Sequence, residues 1–397
     1  MGALIRPEII QFSAWASDMS HKKRAVFIIN SLTVGGAERV MCTFLASSAS
    51  ERADFEISLV LLDIEESPYQ LADWVEVHQL DSRGSLLRGI VALLSLFRRL
   101  HPDVSISFLT RANLANVLVS AFWRIPCIIS ERINTSTHFR DDWTGRLAKV
   151  LVKAIYPRAT RVIAVSAGVA QDLQSVFSVP EKKLVVIANP IDIPSIQAQS
   201  HEQAAIELDD EAYVMSMGRL VKSKNFALLI EAFAQSGFPG KLVILGEGPE
   251  REALLRKACD LGLRDRVLFP GFAKNPFALL RRAGVFVLSS SAEGFPNSLL
   301  EAMAVGIPVI STNCASGPSE ILADCSRAEI DGLWFAEYGI LVPTDSAELM
   351  AKALHAMTDS DLRLRYGKKA AERARYFTVE KAKRGYWEVV RAELQSA

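Results

Sequence analysis

At 397 residues the chain is long enough for two hydrophobic cores and too short for three. Half of it is hydrophobic and 23% charged, a globular composition that excludes a disordered chain or a helical rod. Lys plus Arg equals Asp plus Glu at 45 each, so net charge gives no footing for nucleic acid as a partner.

The first twenty residues hold a proline, two acids and no continuous apolar core, and read as an N-terminal arm (1–21) rather than a signal peptide. No apolar run reaches the ~18–20 residues that cross a bilayer. A soluble or membrane-surface protein facing the cytosol is expected. The five cysteines form no CxxC pair and the six histidines show no ligand spacing, so reduced, mostly buried thiols and no metal are expected.

From residue 22 a strand–loop–helix rhythm begins. Apolar runs at 24–30, 55–62, 104–107, 127–130 and 161–165 alternate with helical patterns to Ala49 and over 86–100, 113–122 and 145–155. Such alternation implies a parallel sheet with helices on both faces. Residues 22–188 form this first lobe. Pro190 and Pro194 mark a hinge at 189–196. The pattern then restarts in a second lobe, 197–378, with runs at 213–217, 241–245, 267–269, 285–288 and 308–310. A final helix, 379–397, is free to pack on either lobe, the first included. The stretch 324–338 looks like an insertion with no assigned role, a cover over the cleft being one reading. The fold class is α/β: two doubly wound Rossmann-like lobes facing each other across a cleft, where ligands of such sheets bind.

Three constellations stand at strand ends. Gly35-Gly36-Ala37-Glu38 opens the first helix; paired glycines admit a ligand close to the backbone, and a plain turn is the other reading. Gly218-Arg219 and Lys224 set cations at a helix head, unfavourable beside its positive pole unless an anion sits there; a solvated basic turn is the alternative. In the run from Glu293 through Gly294 and Phe295, Asn297 or Ser298 reads as a helix cap, so the amides of Ser298 and Leu299 are expected to point at a phosphate. Glu301, inside an apolar helix, needs a partner, and sugar hydroxyls would serve. Competing signals are weaker. Gly246-Glu-Gly248 lacks the third glycine of a dinucleotide fingerprint, with Arg251 in its place, and Asp359-Ser-Asp361 reads as a helix cap rather than a metal site.

The GGxE loop, the Arg219…Lys224 pair and the glutamates 293 and 301 together resemble glycosyltransferase family 4, retaining transferases of the GT-B fold. Gly246-Glu-Gly-Pro249 and Gly317-Pro-Ser-Glu-Ile-Leu322 look like the same family, and the resemblance spans residues 24–390. It implies a nucleotide sugar held by Gly35, Gly36, Gly218, Arg219, Lys224, Gly246, Phe269, Phe272 and the 293–301 segment, with Arg219, Lys224 and Glu293 catalytic. Glu293 would contact the transferred sugar and Glu301 the ribose, with no cofactor and no metal. A UDP-N-acetylhexosamine or UDP-hexose is favoured, and GDP donors stay open. Many relatives carry a histidine after the strand that here ends Ser130-Glu131-Arg132. Glu131, Arg132 or His138 is therefore expected at the acceptor, a surface Arg–Glu pair being the alternative.

A lipid diphosphate-linked or polysaccharide-precursor glycan is the expected acceptor. Residues 143–163 carry five basic residues, Arg146, Lys149 and Lys153 among them, and no acid, beside Trp143. Such a surface suits an anionic leaflet, or is simply a solvated helix face. A nucleotide-sugar epimerase of the same fold and a non-catalytic two-lobed sugar-binding protein remain as alternatives.

Overall fold

The computed structural model describes residues 22–33, 35–139, 142–204, 206 and 212–396, without the side chain of His138; the arm 1–21 lies outside the described residues. The first sheet holds β1 (Lys23–Ile29), β2 (Phe55–Leu61), β3 (Glu76–Gln79), β4 (Val104–Phe108), β5 (Cys127–Glu131), β6 (Arg161–Ala164) and β7 (Leu184–Val186) in the order β3-β2-β1-β4-β5-β6-β7, every pair parallel. The second holds β8 (Val214–Met217), β9 (Leu242–Leu245), β10 (Val267–Gly271), β11 (Val285–Leu288), β12 (Val309–Thr312), β13 (Trp334–Phe335) and β14 (Ile340–Val342) in the order β10-β9-β8-β11-β12-β14-β13. Only β13 runs antiparallel among them.

Strands covered by helices on both faces need apolar side chains at every position. Accordingly Ala25, Val26, Phe27, Ile28 and Ile29 are all buried, as are the four residues of β11. In each sheet the strand order reverses beside the first strand, between β1 and β4 and between β8 and β11. Such a reversal opens a crevice at the carboxyl ends of the strands. The glycine loop follows β1 and Gly218-Arg219 follows β8, so both motifs sit at these switch points.

The chain crosses between lobes twice, side by side. Ile191 donates its amide to the Phe377 carbonyl at 2.7 Å and pairs with Thr378 in a parallel bridge. After the second crossing the helix Val379–Ser396 returns to the first lobe. There Trp387 is buried against Phe55, Phe27 and Phe44, with ring centroids 4.7, 6.0 and 6.0 Å apart. Its indole N–H reaches Ser48 Oγ at 3.0 Å.

Several elements depart from the sequence reading, the three-residue buried strand β14 among them. Glu76-Val-His-Gln79 is too polar to read as a strand, yet β3 is an edge, where one side faces water. The stretch 324–338 is not read as a strand from the sequence. It folds as a short turn, Arg327–Glu329, and the edge strand β13, paired to β14. All five cysteines are free, and burial pushes the thiols of Cys127 and Cys314 up to about 12, which keeps them unreactive.

Candidate donor site between the lobes

The second-lobe loops interlock before they present any side chain. Gly246 has φ +132°, and a Cβ there would lie 2.0 Å from the Gly218 carbonyl oxygen, so only glycine lets the loops after β8 and β9 meet. The turn Lys222–Lys224 follows Arg219, and it is tied to the loop after β11 by Ser289 Oγ donating to the Lys224 carbonyl at 2.8 Å and Ser291 N to Ser223 O at 2.8 Å. These ties place Lys224 Nζ 2.5 Å from Glu293 Oε1, an oxygen that also accepts from Ser290 Oγ at 2.6 Å. Both side chains keep some exposure, so the pair lies at a surface that a ligand reaches. Arg219 is exposed, and no hydrogen bond or ion pair engages its side chain among the described residues.

The helix Asn297–Val305 begins directly after Pro296, and no side chain caps it. This corrects the expectation that Asn297 or Ser298 is the cap. The first-turn amides of an uncapped helix are orphan donors beside the positive pole, and an anion is their natural partner. Asn297 instead spans the cleft: its Oδ1 accepts from Asn189 Nδ2 at 2.7 Å, and its Nδ2 donates to the Gly36 carbonyl at 3.2 Å. Gly36 therefore touches the second lobe, where a Cβ would sit 2.8 Å from Asn297 Nδ2. Gly35 precedes it as the extended residue before the helix Gly36–Ser47, held by the Tyr69 hydroxyl at 3.1 Å.

Glu301 is 3% exposed, and its partner comes from the other lobe: Arg39, on the helix Gly36–Ser47, ion-pairs with it. Oε1 lies against the guanidinium without the alignment of a hydrogen bond. Sequence reasoning missed Arg39. Its signal was helical spacing, since it stands one turn after the glycine pair on the side that faces the cleft.

Several expected donor contacts sit differently. Phe295 turns its ring into the core, 5.3 Å from Phe377, and only its carbonyl is engaged, accepting from Asn189 Nδ2 at 2.9 Å. Gly294 packs on the first lobe, where a Cβ would fall 2.2 Å from the Arg132 carbonyl oxygen. The Phe269 carbonyl accepts from Arg251 at 3.2 Å, while Phe272 is 62% exposed. Ser298 is half-buried, and Leu299 is buried with only its amide toward the helix start.

The acceptor expectation for Glu131 and Arg132 needs correction. Glu131 is 0% exposed; Tyr156 donates to Oε2 at 2.5 Å and the Arg132 amide to Oε1 at 3.0 Å. Burial raises its pKa, and these hydrogen bonds pull it only part of the way back. Arg132 is buried over the Phe108 ring and donates to Tyr386 Oη at 2.8 Å and Asn189 Oδ1 at 2.6 Å. Burial likewise draws its pKa down. It ties β5, the returning helix and the hinge together, so it is neither a surface charge nor a free acceptor contact. His138 ends the short helix Thr135–His138, and its side chain lies outside the described residues.

Arg146, Lys149 and Lys153 lie on the helix Trp143–Ile155, which is capped by Asp142 through the Gly145 amide at 2.8 Å. Trp143, Leu147 and Val150 of the same helix are 76%, 51% and 62% exposed.

Two Rossmann-like lobes, with cations and an uncapped helix start at the carboxyl ends of their strands, form a GT-B fold. The second lobe matches the model for glycosyl transferases group 1 over residues 198–373, and the first matches glycosyltransferase family 4 over residues 34–194. The chain is 31% identical over 376 residues (91% of this chain, 98% of the relative) to the N-acetylgalactosamine-N,N'-diacetylbacillosaminyl-diphospho-undecaprenol 4-alpha-N-acetylgalactosaminyltransferase of Campylobacter jejuni. It is 27% identical over 391 residues (94% and 99%) to that organism's GalNAc-alpha-(1->4)-GalNAc-alpha-(1->3)-diNAcBac-PP-undecaprenol alpha-1,4-N-acetyl-D-galactosaminyltransferase. Among solved structures, Anabaena HepE in complex with UDP superposes with a TM-score of 0.72 at 20% identity, covering 93% of this chain and all of that one. The chain belongs to glycosyltransferase family 4.

Proposed function

We propose that this glycosyltransferase moves a sugar, with retention and without a metal, from a UDP-sugar to a hydroxyl of a polyprenyl diphosphate-linked glycan. A UDP-N-acetylhexosamine is the favoured donor and a UDP-hexose the next. The observation that carries the reading is the Lys224–Glu293 pair, in the same lobe as the exposed Arg219 and the uncapped start of the helix Asn297–Val305. The relatives' names support the acceptor, since both Campylobacter enzymes are named for undecaprenol-linked substrates, and HepE holds UDP.

In this reading the anomeric carbon loses its bond to the diphosphate and gains one to the acceptor oxygen. The acceptor's proton passes to the departing phosphate. Negative charge grows on the diphosphate, and Arg219, Lys224 and the amides of Ser298 and Leu299 stabilise it there. Glu293 holds hydroxyls of the transferred sugar. Glu301 turns from Arg39 to the ribose. A thermal-shift screen of UDP-, GDP- and dTDP-sugars tests the donor. One nucleotide class, UDP, raises the midpoint of the parent protein, and Arg219→Ala loses most of that rise. An equal rise in Arg219→Ala sinks the assignment.

In this reading the enzyme works as a peripheral protein at the cytoplasmic face of a membrane, and the relatives' lipid-linked substrates support the membrane part. No helix among the described residues is long and apolar enough to cross one. Exposed Trp143, Leu147 and Val150 beside Arg146 and Lys153 form an amphipathic surface of the kind that lies on an anionic leaflet. Leu87 and Val91, on the helix Leu86–Leu100, are exposed as well. Each basic residue there contributes about 1 kcal/mol. Replacing Arg146, Lys149 and Lys153 by glutamate therefore weakens binding to phosphatidylserine vesicles by roughly a hundredfold or more. Unchanged co-sedimentation removes the membrane surface from the account.

A further inference from the structure

We infer that Glu320 is a positioning residue for the transfer reaction: its carboxylate latches the lobes together, and Ser316 carries that latch to Glu293. The inference rests on the proposed role of Glu293 at the donor.

The first-lobe helix Ala167–Ser175 is capped by its own Ser166, whose Oγ accepts only the Val169 amide, at 3.1 Å. The two amides before it point across the cleft. Ala167 N donates to Glu320 Oε2 at 2.7 Å and Gly168 N to Glu320 Oε1 at 3.0 Å. A carboxylate facing a helix start gains from charge-assisted hydrogen bonds and from the positive pole together. Glu320 stands on the helix Pro318–Leu322, and Oε1 also lies 3.4 Å from the Gly317 amide, which fixes its orientation.

Steric fit marks the same contact. A Cβ at Gly168 would lie 2.6 Å from Ser316 Cβ and 2.9 Å from the Ala315 carbonyl oxygen. Gly168 has a helical backbone that any residue adopts, so the need for glycine there comes from the neighbouring lobe. Ser316 Oγ in turn donates to the Glu293 carbonyl at 2.6 Å. The segment runs unbroken from a first-lobe helix, through Glu320 and Ser316, to the backbone of the residue whose carboxylate meets Lys224. Drawing the lobes apart breaks the first link and releases the last. The Glu320 carboxylate is taken up by the amides of Ala167, Gly168 and Gly317.

The test compares Gly168→Ala, Glu320→Ala and Ser316→Ala with the parent, using UDP affinity by calorimetry, kcat with the donor sugar, and the radius of gyration from solution scattering. Gly168→Ala removes no second-lobe side chain, so UDP affinity stays within about threefold of the parent while kcat falls tenfold to a hundredfold. Glu320→Ala behaves alike and shows a larger radius of gyration, with or without UDP. Ser316→Ala lowers kcat with the radius unchanged. Parental kcat in Gly168→Ala overturns the latch, as does a parental radius in Glu320→Ala. Loss of UDP affinity in step with kcat in Gly168→Ala overturns it too, because that marks general damage. Failure of the parent to bind UDP defeats the donor reading alone, and the unliganded radii still judge the latch.

Discussion

Lys224→Ala lowers kcat for sugar transfer by a hundredfold to a thousandfold while the protein stays folded. Lys224 sits in a three-residue turn on the surface of the second lobe, and among the described residues its Nζ meets only Glu293. The fold loses little when it goes, since Ser289 and Ser291 hold that turn through backbone atoms. The reaction loses a preorganised cation at the point where the diphosphate gathers charge. Removing one such donor typically costs about 3 to 4 kcal/mol of transition-state stabilisation. Glu293 keeps its hydrogen bond from Ser290 at 2.6 Å, so the variant reports the missing cation rather than a displaced carboxylate. Lys224→Arg recovers part of the rate, because a guanidinium also neutralises phosphate, though from a different centre. Steady-state kinetics with the melting temperature as a control decide it. A fall in kcat below threefold contradicts the role.

Trp387→Ala costs about 3 to 5 kcal/mol of stability, the largest structural loss expected from one substitution. Trp387 is 1% exposed and packs on three phenylalanines of the first lobe. Its removal empties a site that the rigid sheet beneath cannot fill, and it leaves the buried Ser48 hydroxyl without its indole donor. The helix Val379–Ser396 follows the second crossing, so loosening it also frees Tyr386, which holds Arg132. Trp387→Phe keeps most of the apolar contact and loses about 1 to 2 kcal/mol. Urea unfolding followed by tryptophan-independent circular dichroism reads both. Equal midpoints for the parent and Trp387→Ala contradict the packing described.

The sheet was legible because its strands are buried on both sides, a pattern that local sequence carries by itself. Residues 24–30 and 285–288 differ from β1 and β11 by a residue at most. The short edge strands β3 and β13 lack that signature and went unread, and so did β14, which is buried between β12 and β13 but only three residues long. The second-lobe half of the site was legible because Arg219, Lys224, Glu293 and Glu301 are charges in places where a helix head or an apolar helix gives them no local reason. The contacts between lobes were not. Arg39 against Glu301, Asn189 against Asn297 and Glu320 against Ala167 join residues far apart in the chain, and each side looks ordinary until its partner is known. Glu131 and Arg132 misled for the opposite reason. Two adjacent charges read as exposed or functional, yet Tyr156, Tyr386 and Asn189 satisfy them in the interior.

The most direct test of the account is a transfer assay with a UDP-N-acetylhexosamine and a synthetic polyprenyl diphosphate-linked saccharide, the product examined by mass and by NMR. One added N-acetylhexosamine is expected, with the anomeric configuration it had in the donor, formed at the same rate in the presence of a chelator. A product of inverted configuration, or no glycosylated lipid while UDP-sugar is bound and left intact, contradicts it.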